Sequence, residues 1–301
     1  MLTDAQNLAK RLRGAGLPER FSWRHFDLQV TDLKAATHFW TVAFGLRIRN
    51  ETETSVALGT NKRDLVILHA GAQQKAEPGY MGMYHLAIGV PELAELARLY
   101  ARFVALGLRV SPVDHLTSKS LYLADPDGLE VEFALETPER LKTYHEVRNG
   151  CVMTDVNGNL HSGRERLNVQ KELTPAKDAD LRAHISEDTF LSHLHLRVPK
   201  LEAAADWYQD LGFAKNIVLP QMGMIDLGAG DPYGHRIALN NWLGPDIQRP
   251  PSNMARLIGY ELDVQDKDTF ANAKGLTPSG TELSGLDVAG LEAKLWPKFE
   301  V

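Results

Sequence analysis

Three histidines occupy one recurring place in the chain. His25, His85 and His193 each stand five residues before a valine that closes an alternating apolar run, at Val30, Val90 and Val198. A fourth run closes at Val264 and carries Gly259 at the same offset. Side chains alternate faces along a strand, so each histidine faces away from its valine and shares its face with the residue two further on, Asp27 and Ala87 in the first two runs. An acid joins them from the stretch SLYLADPDGLEVEF, residues 120–133. There Asp125-Pro126-Asp127-Gly128 turns the chain between two strands. Leu129, Val131 and Phe133 share one face of the second strand, and Glu130 and Glu132 the other. Glu132 lies seven residues after Asp125, and the same offset from the degenerate turn Asp287-Val288-Ala289-Gly290 lands on Lys294. Two neutral imidazoles and one carboxylate leave open positions on an octahedral divalent metal, the arrangement used by non-haem Fe(II) oxygenases. His25, His85 and Glu132 supply that set from the first half of the chain. One carboxylate leaves a divalent ion with a single net positive charge, which a substrate anion can neutralise. The second half offers His193, Gly259 and Lys294. Lys294 repels a cation, so His193 is read as structural.

The elements that must position these groups repeat four times. The segments are RHFDLQVTDLKAATHFWTVAFGL from Arg24, YHLAIGVPELAELARLYARFVALGL from Tyr84, SHLHLRVPKLEAAADWYQDLGF from Ser192 and IGYELDVQDKDTFANAKGL from Ile258. Each begins as an alternating strand, passes an acid or proline, and continues as a helix ending near Gly45, Gly107, Gly212 or Gly275. Alternating runs such as TSVALGT, DLVILHA, NIVLPQMGMIDLG and HRIALNNW follow, which gives a unit of strand, helix and about three strands. Residues 136–189 are polar and irregular, and only LTPAKDADLRAHI within them suggests a helix. The expected organisation is therefore an N-terminal arm at 1–20, a first module with the metal site at 21–135, a connecting segment at 136–189 and a degenerate second module at 190–301. A connection of that length is either functional, such as a lid, or an interdomain wrap.

Composition removes several classes of function. With 301 residues the chain buries enough surface to fold without staples, and its lone cysteine, Cys151, excludes an intrachain disulfide and suits a reducing cytoplasm. A formal charge of -6 with no offsetting basic stripe argues against nucleic acid. The opening MLTDAQNLAKRLRGAGLPER has Leu2, Leu8 and Leu12 at helical spacing but no continuous apolar core, and reads as an amphipathic arm rather than a signal peptide. No run approaches the roughly 20 apolar residues of a membrane helix.

At RHFDLQVTDL, MYHLAIGVPE, VDHLTSKSLYLADPDGLEVEF, SHLHLRVPKLEAAADWY and GHRIALNNW the sequence resembles the vicinal oxygen chelate superfamily, which holds the glyoxalases, bleomycin resistance proteins and extradiol dioxygenases. The resemblance covers Phe21 to Phe133 well and Leu191 to about Trp296 less well. With four units, the chain resembles the two-module catechol 2,3-dioxygenases of that superfamily. The implied fold is α+β: four βαβββ units in two paired modules, each an open mixed β-barrel. The superfamily's metal positions carry over onto His25, His85 and Glu132, with Glu132 turned inward and Glu130 at the pocket margin or in solvent. The resemblance also assigns His115 as a pocket acid/base and Tyr122 as a substrate contact; should His115 not carry the proton, Tyr122 or a histidine of the connection, His145 or His161, is the next candidate. It implies Fe(II), or Mn(II), as cofactor, and extradiol ring opening of a catechol by O2 as the reaction. The implied partners are a small aromatic diol and O2, with no nucleic acid and no membrane; a homo-oligomer is compatible.

Two rival readings share the fold. A metal-dependent lyase or isomerase of the glyoxalase type carries a second acid at the end of its first unit, where this chain has DLVILHA with no Glu or Gln. A protein that sequesters a drug in a metal-free cleft has no need of the His and Glu set.

Overall fold

The computed structural model describes residues 19–147, 150–176, 178–229 and 235–299. Most of the expected N-terminal arm, residues 1–18, lies outside them. Four units are present. The first runs β1 (Phe21–Val30), a helix (Leu33–Val42), β2 (Arg47–Glu51), β3 (Ser55–Gly59) and β4 (Asp64–Ala70). The second runs β5 (Gly82–Gly89), a helix (Leu93–Ala105), β6 (Ser111–Asp114), β7 (Ser118–Ala124) and β8 (Glu130–Glu136). The connection contributes β9 (Leu141–Val147), β10 (Gly150–Asp155), β11 (Leu160–His161) and β12 (Glu165–Arg166). The third unit comprises β13 (Phe190–Arg197), a helix (Leu201–Leu211), β14 (Ala214–Leu219), β15 (Met224–Gly228) and β16 (Ile237–Asn240). The fourth comprises β17 (Arg256–Val264), a short helix (Lys267–Ala271), β18 (Thr277–Ser279), β19 (Glu282–Leu286) and β20 (Glu292–Pro297).

Local chemistry sets these boundaries. Asp32 and Asp266 cap their helices by accepting from Ala35 N and Thr269 N, both at 3.0 Å, which satisfies a donor that the first helical turn leaves free. Gly212 ends its helix at φ 117°, a left-handed conformation that side-chain-bearing residues avoid. In the DPDG turn, Asp125 Oδ1 accepts from the amides of Asp127 and Leu129, both at 2.9 Å. The degenerate turn repeats the device, with Asp287 Oδ1 accepting from Ala289 and Leu291 at 2.8 Å.

The fold is α+β, and its two large sheets are open and mixed, but the first unit does not share a sheet with the second, nor the third with the fourth. The eight-stranded sheet has the order β18-β19-β20-β17-β1-β4-β3-β2 and joins the fourth unit to the first. The nine-stranded sheet has the order β12-β6-β7-β8-β5-β13-β16-β15-β14 and joins the second unit to the third. This corrects the expected pairing of the first unit with the second and the third with the fourth. Alternation fixes which face of a strand turns inward and is satisfied by either partner, so periodicity does not choose the neighbour. The first and second units, and the third and fourth, meet through their helices instead. Trp40, on the first unit's helix, donates its Nε1–H to Asp125 Oδ2 of the second unit's turn at 3.1 Å. Tyr208, on the third unit's helix, donates to Asp287 Oδ2 of the fourth unit's turn at 2.8 Å. One continuous apolar core runs through both sheets and includes Trp40, Phe44, Phe133, Tyr208 and Tyr260.

The connecting segment is structured. Strands β9, β10 and β11 form a three-stranded sheet, and β12 extends the nine-stranded sheet by pairing with β6. The helix expected at 173–185 is absent; a short helix at Val169–Glu172 and a 3-10 turn at Thr174–Ala176 lie there and just before. The chain beyond them is held by buried Arg98, which donates to the carbonyls of Ala183 and His184 at 3.0 and 3.3 Å. Among the described residues no helix is long and apolar enough to cross a membrane.

Candidate metal centre

Strands β5 and β13 run antiparallel at the middle of the nine-stranded sheet, and the parallel neighbour of β5 is β8. These three strands bring His85, His193 and Glu132 together. His85 Nε2 and His193 Nε2 are 3.1 Å apart, and they lie 3.0 and 3.1 Å from Glu132 Oε2. Metal–donor bonds of about 2.1 Å place neighbouring donors of an octahedron about 3.0 Å apart and those of a tetrahedron about 3.4 Å apart. The observed spacings match three mutually adjacent corners of an octahedron. Glu132 is 1% exposed, and its Oε2 has no aligned hydrogen-bond donor although two ring nitrogens face it. A buried carboxylate oxygen set against two nitrogens, none of them hydrogen-bonded to it, fits a divalent cation held between the three.

The surroundings set protonation. Burial would raise the Glu132 carboxyl, but positive charge placed beside it among the three donors holds it well below the usual carboxylate range. His193 is pushed down to about 3, first by burial and then by the neighbouring His235, so its imidazole is neutral. Its tautomer follows from its partners. Ser192 donates to the Glu136 carboxylate at 2.7 Å, which leaves Ser192 Oγ to accept from His193 Nδ1 at 3.2 Å. The proton is then on Nδ1, and the Nε2 lone pair faces the centre. A register shift between Leu191 and Leu194 opposite β5 accompanies this placement, as bulges beside functional sites often re-aim a side chain.

A cavity of about 270 Å³ opens over the three donors. His115 and Tyr122 line it. His115 Nδ1 donates to the Gly163 carbonyl at 2.7 Å, so Nε2 carries the lone pair and faces the Tyr122 hydroxyl at 3.0 Å. Burial holds the His115 pKa below its ordinary value, which keeps the ring neutral. Burial and the Glu132 charge raise the Tyr122 phenol well above its ordinary value, so it keeps its proton. The next residue, Leu116, adopts φ 67°, a left-handed conformation costly for leucine. Asp114 Oδ1 accepts from its amide at 2.7 Å and Thr137 Oγ1 donates to its carbonyl at 2.9 Å, which together hold the turn that aims His115.

Of the expected residues, the structure unites His85, Glu132, His115 and Tyr122, and Glu130 is exposed as expected. His25 is not brought to the centre. It lies on β1 in the other sheet, with Nε2 3.4 Å from Asp27 Oδ2 and 3.7 Å from Glu261 Oε1, because its strand pairs with β17 rather than β5. His193, read as structural, stands where His25 was expected. His145 is exposed and its ring meets the Thr143 hydroxyl, while His161 accepts from the Gly163 amide at 3.0 Å and so steadies the loop under His115. Among the pocket residues not singled out are His195, whose Nε2 meets Asn240 Nδ2 at 2.9 Å; His235, whose Nδ1 meets Asp226 at 3.0 Å; and Trp242. The HLH in SHLHLR carried a signal for His195, since residues two apart on a strand share a face.

The fourth position around the centre is also defined. Glu132 is registered beside Ala87 on the parallel strand of its unit; the matching place in the third unit, beside His195, is Ala238. Ala238 also lines the cavity and offers no donor.

Comparison with known proteins agrees with this architecture. Residues 23–133 match the family model of the Glyoxalase/Bleomycin resistance protein/Dioxygenase superfamily. A catechol-2,3-dioxygenase of Bacillus subtilis (strain 168) is 32% identical over 255 residues, which span 81% of this chain and 84% of that protein. A biphenyl-2,3-diol 1,2-dioxygenase 3 of Rhodococcus globerulus is 29% identical over 128 residues, 40% of this chain and 67% of that protein. Among solved structures, glyoxalase I from Zea mays aligns with a TM-score of 0.53 at 14% identity over 91% of this chain and 92% of its own, a likeness of fold. The chain belongs to the glyoxalase/bleomycin resistance protein/dioxygenase superfamily, the vicinal oxygen chelate proteins, as an oxidoreductase of its extradiol dioxygenase branch.

Proposed function

We propose that the protein is an Fe(II)-dependent extradiol dioxygenase that opens the ring of catechol or a substituted catechol beside the diol, working in the reducing cytoplasm that its lone Cys151 suits. The observation that carries this reading is the donor set: His85, His193 and Glu132 spaced as one face of an octahedron, with Ala238 at the fourth repeat-equivalent place. Ala238 weighs against a lyase or isomerase built on a second acid. Iron held by these three residues supplies Lewis acidity toward the diol hydroxyls and a redox centre for O2, and Mn(II) suits the same donors.

The remaining work falls to the chain's own groups. His115 is neutral with its Nε2 lone pair toward the pocket, so it can take a hydroxyl proton from the diol, with Tyr122 as the neighbouring relay, and return it as the ring opens. Both atoms of O2 enter the semialdehyde acid product, so no external reductant is consumed. Apolar walls exclude water from the reacting ring. The test is oxygen uptake by anaerobically Fe(II)-loaded protein offered a panel of catechols. Uptake matched one to one by a coloured ring-cleaved product is expected, whereas fully loaded protein that consumes no oxygen with any catechol would overturn the reading.

A further inference from the structure

We infer that the hairpin β9–β10 of the connecting segment forms, with β14 and β15, an apolar wall that selects catechols bearing an uncharged, apolar ring substituent, an alkyl group or a halogen, over carboxylated catechols. This rests on the diol-cleaving reading of the site and goes on to name its substrate class.

The hairpin is built into the pocket. Leu141, Tyr144 and Met153 are buried and, with Leu116, form a small apolar cluster of their own, against which Cys151 and Ile217 pack. Apart from Leu116, all of these line the cavity over the metal donors. Tyr144 and Met153 are directly opposed across the hairpin, so they share a face. The hairpin is anchored at its base. Arg140 donates from both terminal nitrogens to the Asp114 carboxylate at 2.9 and 2.8 Å, one residue before His115. The segment that supplies the wall is therefore fixed to the end of β6, directly before the proposed base. Ile217, Leu219 and Met224 complete the apolar lining from β14 and β15.

Charge points the same way. Glu132 and Asp226 are the acids of the described lining. Its one Lys or Arg is Arg164, exposed at the mouth with its guanidinium carbon 5.9 Å from the centre of the Tyr122 ring. A carboxylate lodged in the wall would lose its water and, among the described residues of the hairpin, β14 and β15 that line the cavity, meet no lysine or arginine. A methyl or ethyl group would bury its surface against Leu141, Met153 and Ile217. At about 270 Å³ the cavity lies at the small end of ligand pockets, which run from ~300 Å³ upward, and it suits one substituted ring.

The test separates binding from chemistry. Titration calorimetry of Fe(II)-loaded protein without oxygen compares catechol, 4-ethylcatechol and 3,4-dihydroxybenzoate, so no turnover intervenes. The ethyl compound is expected to bind about tenfold or more tighter than catechol, since one methylene in an apolar pocket is worth ~10- to 200-fold, and the carboxylate to bind weakest. Met153→Ala and Ile217→Ala, one from the hairpin and one from β14, should each bring the ethylcatechol-to-catechol ratio toward one with metal content retained; Met153→Gln keeps the length of the side chain if the alanine variant fails to fold. An unchanged ratio in the variants that fold overturns the wall. So does tight binding of 3,4-dihydroxybenzoate that Arg164→Ala abolishes, because the substituent would then lie at the mouth. Oxygen is admitted last. Selective binding without oxygen uptake upholds the wall and sinks the dioxygenase reading, whereas brisk catechol cleavage with no substituent preference does the reverse.

Discussion

The two large sheets are the same construction with different chemistry at the centre. In each, the first strands of two units run antiparallel: His85 lies opposite His195 in one sheet, and His25 opposite Glu261 in the other. Each first strand has a parallel neighbour from its own unit. In the nine-stranded sheet the equivalent inward places hold His85, Glu132, His193 and Ala238; in the eight-stranded sheet they hold His25, Ile67, Gly259 and Lys294. The second set is completed internally. Lys294 Nζ lies 3.4 Å from Glu261 Oε1, and Asp27 meets His69 Nε2 at 2.7 Å. Burial would raise the Asp27 carboxyl, yet His25 and His69 hold it well below its usual range. There an ammonium group already sits where a metal would be attracted. The nine-stranded sheet is left one cation short, and that deficit, rather than the count of histidines, marks the site.

The largest effect should come from breaking the donor set. His193→Ala, His85→Ala and Glu132→Ala should each lose stoichiometric iron and all measurable turnover, while His25→Ala and Lys294→Ala keep both. Metal analysis after gel filtration decides it. Iron retained by His193→Ala, or lost from His25→Ala, would mean that the wrong sheet had been assigned.

Next in size is the proton carrier. His115→Phe should retain iron and catechol binding but lose about 100- to 10,000-fold in turnover, the usual contribution of a general base. Its pH profile carries a sign. Burial lowers the His115 pKa below 6.5, so the base remains unprotonated as pH falls through 6.5, and the acid limb of kcat/KM should lie below that value. A limb at or above 6.5, or one that survives in His115→Phe, would assign the titration to another group.

Much of this was legible in residue pattern alone. The four repeats and the inward face of each strand follow from alternation and turn chemistry, while Glu132 turned inward ahead of Glu130, and His115 and Tyr122 in one pocket, follow from the resemblance. What failed was the choice of partner strand. His25 and His193 carry the same local pattern, and only the long-range pairing of β5 with β13 decides between them. Lys294 was read as repelling a cation, but its unit shares a sheet with His25, so the veto fell on His193 instead. The helix expected after residue 172 failed for another reason: buried Arg98 and Arg102 take the carbonyls of Leu181, Ala183 and His184 as partners, which fixes that stretch as irregular chain.

A smaller effect would sharpen the comparison at the fourth position. Ala238→Glu places a second carboxylate beside the donors, as in the rival chemistry. It should slow metal loss to a chelator and reduce oxygenase turnover by about tenfold or more, since it fills a position the substrate needs. Unchanged turnover with unchanged metal release would show that residue 238 does not reach the ion.

The smallest effect lies in the struts that tie consecutive units across the two sheets. Asp125 Oδ2 has one side-chain donor, Trp40, whereas Asp287 Oδ2 accepts from both Tyr208 and Tyr260, at 2.8 and 3.1 Å. At pH 8 Asp125, pushed up to about 6 by burial, is ionised, so losing its donor strands a buried charge. Trp40→Phe should therefore cost about 2–4 kcal/mol, from a charge-assisted hydrogen bond and the space left by the smaller ring. Tyr208→Phe removes one hydroxyl from an acceptor that keeps another, and should cost about 0.5–1.5 kcal/mol. Urea unfolding midpoints at pH 8, taken with and without metal, measure both, and iron stoichiometry should not change in either variant. If Tyr208→Phe proves as costly as Trp40→Phe, the second phenol does not substitute for the first, and the two struts are equivalent despite their different donors.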